Sequence, residues 1–183
     1  MVGIILLVIL VIVVFYVIGL YNSLIRLKNQ VGNGWSQIDV QLKRRHDLIP
    51  NLIETCKGYM KHEKETLENI TNARSNAMGA DSISDKSSAE GALSGSISKF
   101  MLVVENYPDL KANANFISLQ EELSSTENKI AFSRQNYNDQ VLFFNNKIEM
   151  FPSNIIAGSF NFKQADFFEI EDKTERDVPK VKF

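Results

Sequence analysis

The chain opens on an unbroken apolar pattern. Val2 to Leu20 contains no charged side chain, and at about 1.5 Å per helical residue this run spans roughly 28 Å, close to the hydrocarbon thickness of a bilayer. It predicts a membrane-crossing helix. A cleaved leader would carry a basic segment before its apolar core and a small-residue cleavage site after it. Here the run begins at once and passes through Ile18, Gly19, Leu20 and Tyr21 into polar sequence. An uncleaved anchor is therefore expected over residues 1–21.

Beyond the anchor the apolar positions recur at alternating steps of three and four. The first series is Val31, Trp35, Ile38, Leu42, Ile49, Leu52, Cys56 and Tyr59, the stripe of a long amphipathic helix. Arg45 fills the one gap in it, and Pro50 falls inside it. A second helix is expected from about His62 to Met78, with Glu63, Glu65 and Glu68 crowded at its positive dipole end. Gly79 to Ser88 is small, polar and aperiodic, and reads as a linker. Leu93, Ile97, Phe100 and Val104 mark a third helix, which Pro108 stops and after which Asp109 can cap the next. The last series is Phe116, Leu119, Leu123, Ile130, Tyr137, Val141, Phe144, Ile148 and Phe151, interrupted only by Glu127 and Arg134. Pro152 ends it, and Phe160, Phe162, Phe167 and Phe168 then lie among polar residues.

Short connections between successive helices favour antiparallel neighbours. The expected fold is all-α: the transmembrane helix, then an antiparallel up-and-down four-helix bundle over 22–152, then a mostly irregular aromatic tail over 153–183 packed on or near the bundle. A three-helix version, with one helix from Tyr21 to Met78, is the alternative. In the four-helix version Tyr59 stands level with Asp109, so Arg45 comes level with Leu123 to Glu127 and Trp35 with Arg134. The polar interruptions of the two long stripes then meet. A charge in an apolar seam is costly alone but can fix register when paired. Arg45 is accordingly assigned to Glu127, and Arg134 to a stack on Trp35 or a share of Glu127. The competing reading has each long side chain reaching the bundle edge.

Pro50 removes one helical donor and strains the carbonyl of His46, so a kink or break is expected between Arg44 and Asn51, with Asp47 able to cap a restarted helix. Arg44, His46, Asp47 and Asn51 around that bend are the candidate partner surface. An ordinary solvated helix face explains the same residues.

Composition narrows the chemistry. The 183 residues carry a net charge of −2, without a basic field or a Lys/Arg stripe interleaved with aromatics, which argues against nucleic-acid binding. Cys56 is the single cysteine, so an internal disulfide and a thiolate-rich zinc site are both excluded. His62-Glu63 opens like a zinc-protease helix, but Thr66 stands where the second histidine belongs. His46 beside Asp47 resembles an oriented base, yet no nucleophile can be assigned to it. No G-x-S-x-G elbow or phosphate loop is found. No catalytic, cofactor or metal site is expected.

Three long stretches resemble the bacterial LemA family: "VGNGWSQIDVQLKRRHDLIPNLIETCKGYMKHEKETLENITNAR", "ENYPDLKANANFISLQEELSSTENKIAFSRQNYND" and "FPSNIIAGSFNF" with its following "FFE". Trp35, Gln37, Arg44, Arg45, Asp47, Pro50, Asn51, Glu105, Asn106, Pro108, Glu127, Asn128, Tyr137, Asn138, Phe151 and Pro152 carry the likeness. The resemblance implies a single-pass membrane protein with a helical bundle domain and no established enzymatic activity. Residues and resemblance together suggest a scaffold or adaptor of the bacterial inner or plasma membrane, held in the bilayer through residues 2–20, with a membrane-protein partner or self-association. A regulatory subunit of a membrane protease or transport complex is the alternative. Arg26 and Lys28 follow the span and no cation precedes it within the chain, so the positive-inside rule places the bundle in the cytoplasm.

Overall fold

The structure, a computed structural model, describes residues 1–169, and every regular element in them is helical. The six helices are α1 (Val2–Lys57), α2 (Lys64–Met78), α3 (Ile83–Val104), α4 (Pro108–Lys111), α5 (Ala114–Glu149) and α6 (Ser153–Ser159). The apolar run and the first amphipathic stripe form one helix, α1, which Pro50 neither breaks nor ends. The apolar run is exposed from Val2 to Tyr16, as a segment made for lipid must be.

Several boundaries differ from those the sequence suggests, each for a local reason. The linker is shorter, because Ser82 caps α3: its Oγ accepts from the Asp85 amide at 3.0 Å and donates to the Asp85 carboxylate at 2.6 Å. Asp109 does not cap the long last helix; Pro108 and Asp109 instead open the short α4. The cap of α5 is Asn113, whose Oδ1 accepts from the amides of Asn115 and Phe116. The tail keeps more order than expected, since a cis Phe151–Pro152 bond is followed at once by α6. Residues 170–183 of that tail lie outside the described residues.

The chain divides into two compact units. The first comprises Met1–Ile38 and Phe132–Phe167. Leu24, Ile38, Tyr137, Val141, Phe144 and Ala157 are buried in it. Close approach here depends on Gly34, where a Cβ would stand 3.2 Å from the Cα of Tyr137. Trp35 lies edge-on to the Tyr137 ring, with centroids 5.6 Å apart. The Tyr137 hydroxyl donates to the Asp166 carbonyl at 2.7 Å and fixes the incoming tail.

Among the described residues the second unit comprises Asp39–Ala131 with Phe168 and Glu169. Its core gathers Ile49, Leu52 and Cys56 of α1, Leu67 and Ile70 of α2, Leu93 and Phe100 of α3, and Phe116 and Leu123 of α5. Burial pushes the Cys56 thiol up to about 12, so it acts as a small apolar core residue.

Candidate functional site

The second unit holds a charge cluster in an otherwise apolar seam. Arg45 is 2% exposed, one turn from Leu42 and one from Ile49, both buried. Its Nη1 donates to Glu127 Oε2 at 2.6 Å and to Ser94 Oγ at 2.8 Å. Its Nη2 donates to the carboxylate of Glu90 and, at 3.5 Å, to the Glu90 carbonyl. Glu90 is 1% exposed, whereas the Glu127 side chain is 48% exposed. Glu90 is therefore the interior counter-charge and Glu127 the rim one.

His46 completes the cluster from the same turn of α1, its Nε2 lying 2.8 Å from the second Glu90 carboxylate oxygen. Burial works to raise the Glu90 pKa, but His46 and Arg45 outweigh it and hold the carboxyl below its ordinary range. Both partners of the Glu90 carboxylate stand on α1, so this pairing joins α3 to α1, and Arg45 extends it to Glu127 of α5.

Pro50 meets the cluster from the backbone side. A proline at this position has no N–H to give the carbonyl four residues earlier, which is that of His46. Arg74 of α2 supplies the missing donor, its Nε reaching the His46 carbonyl at 2.8 Å. The helix passes Pro50 unbroken because an orphan acceptor has been satisfied from outside.

The structure thus brings together Arg45 and Glu127, and it places Trp35 and Arg134 in the first unit. Trp35 is in the first unit against Tyr137, one turn further along α5 than Arg134. The shift follows from α4 and the Asn113 cap, which start the long helix later than Asp109. Arg134 is half-buried in the first unit. The proposed partner surface also needs correction: His46 is 7% exposed and faces Glu90, so it cannot line an outer surface. Arg44, Asp47 and Asn51 are exposed, with Arg44 in a 3.4 Å contact to Glu122.

Glu90, Ser94 and Arg74 escape the sequence reading. Glu90 stands three residues before Leu93, on the stripe that continues through Ile97, Phe100 and Val104, so a third seam carries a third charge. Reading the linker as far as Ser88 hid that first turn of the stripe. Arg74 had no periodic signal; only the orphan carbonyl created by Pro50 points to it. Among the described residues no group of three or more His, Cys, Asp or Glu side chains could hold a metal ion. Among the described residues the cluster's contacts are those of charge pairing.

The LemA family model matches residues 34–183. A protein named Protein LemA from Metamycoplasma hominis is 31% identical over 168 residues, covering 90% of this chain and 75% of its own. The chain belongs to the LemA family. Other relatives are more distant: Magnetosome protein MamQ 2 of Paramagnetospirillum magneticum is 22% identical and Magnetosome protein MamQ of Magnetospirillum gryphiswaldense 20% identical, each over 88% of this chain and 68% of its own. The LemA match begins at Gly34, and within it lie Arg45, Glu90, Glu127 and Arg74. Helical architecture, family and the exposed apolar run of α1 together make this a membrane-associated protein.

Proposed function

We propose that this LemA-family chain is a single-pass scaffold or adaptor of the bacterial cell membrane, anchored by Val2 to Leu20, with its helical body in the cytoplasm. The observation that carries the reading is the continuity of α1: one helix runs from an exposed, purely apolar segment into the packed interior of the helical body. An element built this way joins a bilayer to a folded body and requires no catalytic residues. The Arg45–Glu90–Glu127 cluster fits the same purpose, since it ties α1, α3 and α5 in one register. Arg44, Asp47 and Asn51 then form the exposed flank that meets a membrane-protein partner, with self-association as the other outcome.

Site-specific photocrosslinking from Asp47 and from Asn51 in intact cells tests this surface. A discrete adduct to a membrane protein or to a second copy supports the scaffold; crosslinks no more frequent than those from Lys43 would remove these residues from any interface. An adduct to a protease or transporter would identify the scaffold as a regulatory subunit. A reporter fused after Phe183 tests the orientation, and cytoplasmic activity is expected.

A further inference from the structure

The first unit contains a cavity of about 560 Å³ that the scaffold role leaves unused. Its walls include Tyr21, Phe144, Phe160 and Phe162, and Lys28 and Lys163 are its cations. The aromatic side is built around Tyr21, the residue directly after the apolar run. The Phe160 ring packs on Tyr21 with centroids 4.7 Å apart, and the Phe162 ring meets both Tyr21, at 5.9 Å, and Phe144, at 6.4 Å. Phe160 is nevertheless 57% exposed. The opposite wall is held in place by Asn145, which donates to the Ala165 carbonyl at 3.0 Å and accepts from the Ala165 amide at 2.9 Å. Asn161 turns the chain between the two phenylalanines with a left-handed φ of 55°, a conformation asparagine tolerates better than most side chains.

Position decides what such a cavity is for. Lys28 lies about 12 Å beyond Leu20 along the helix axis. Helical side chains lean towards the N-terminus, so its ammonium returns towards the membrane surface. Neither Lys28 nor Lys163 forms an ion pair among the described residues. An aromatic wall at the hydrocarbon boundary with two unneutralised lysines at headgroup depth complements an amphiphile whose polar end is anionic.

We propose that this cavity takes the phosphate-bearing headgroup of an anionic phospholipid, with Lys28 and Lys163 contacting the phosphate and Phe160 and Phe162 lying along the first acyl carbons. The inference rests on the anchoring reading above and adds a lipid specificity to it. Gly32 also lines the cavity, and a Cβ there would meet no atom within 4 Å. Gly32→Leu therefore fills the space without changing charge, which separates the cavity from general surface electrostatics.

The test is native mass spectrometry of the full chain released from nanodiscs of mixed phosphatidylglycerol and phosphatidylcholine. One phosphatidylglycerol is expected to remain bound per chain, with retention falling roughly fivefold for each of Lys28→Gln and Lys163→Gln and falling also for Gly32→Leu. Arg26→Gln, a cation outside the cavity, should leave retention unchanged. Equal loss with Arg26→Gln, or retention untouched by Gly32→Leu, would overturn the site. Displacement of the lipid by glycerol phosphate at the same concentration as by added phosphatidylglycerol would overturn its assignment to lipid. A chain that fails to enter nanodiscs overturns the anchoring itself, whereas one that enters but shows no lipid preference overturns the lipid site alone.

Discussion

Arg45 is a permanent cation with 2% of its surface exposed, so its contribution depends on what neutralises it. The two carboxylates differ in burial, and they should differ in consequence. Glu90→Leu removes the interior counter-charge of Arg45 and leaves it only the rim carboxylate of Glu127, and is expected to cost about 3 kcal/mol, whereas Glu127→Gln at the rim should cost no more than about 1 kcal/mol. Thermal unfolding of the detergent-solubilised full chain measures both, and the double variant Arg45→Met/Glu90→Leu should recover much of the larger loss. Simple addition of the two single losses would show that the residues do not act as a pair. Acid separates them further. Because the folded pKa of Glu90 lies below its unfolded value of about 4.3, its contribution is complete above that pH and is lost as pH falls through the folded value. The gap in Tm between wild type and Glu90→Leu should therefore be wide at neutral pH and close on acidification; a constant gap would contradict the ionised network. Arg45 and Glu127 were legible because each interrupts a long regular stripe. Glu90 was not, since its stripe is short and begins beside a polar, aperiodic stretch.

At the scale of the helix, Pro50 and Gly34 show two ways in which a neighbour governs α1. Sequence rules mark Pro50 as a kink or a break because they count only donors within the helix. The donor that rescues the His46 carbonyl comes from Arg74, twenty-eight residues later, and no local pattern announces it. Arg74→Ala should orphan that buried carbonyl and cost roughly 1–3 kcal/mol, with faster amide exchange around Pro50 as the specific sign. Loss of stability without local exchange would mean that Arg74 acts elsewhere. Gly34 and Gly32 give a paired comparison two residues apart. Alanine at Gly32 meets nothing and should stabilise the helix by about 0.5–1 kcal/mol; at Gly34 its Cβ would press on the Tyr137 backbone, and the same substitution should destabilise. The four longer helices were readable, because amphipathic stripes record burial directly, whereas the short α4 and α6 carry no such stripe. The starts of α3 and α5 were misplaced because Ser82 and Asn113 caps compete with nearby residues of equal intrinsic capping ability.

For the whole molecule, the claim that organises the rest is that α1 is both anchor and structural helix. Helical class, the apolar run and family membership were all visible in the sequence, since each is written in long patterns. The closure of a cavity by Phe160 and Phe162 around Tyr21 was not, because it joins residues far apart in the chain through a short helix and a left-handed turn. Alkaline extraction of membranes from cells expressing the full chain tests the organising claim most directly. Wild type should remain with the bilayer, and Ile9→Arg/Val13→Arg, which adds roughly 2.5–3.5 kcal/mol of insertion cost per arginine, should pass into the soluble fraction with its helical content intact. Retention of that variant in the extracted membrane, to the same extent as wild type, would contradict the anchor assigned to Val2–Leu20.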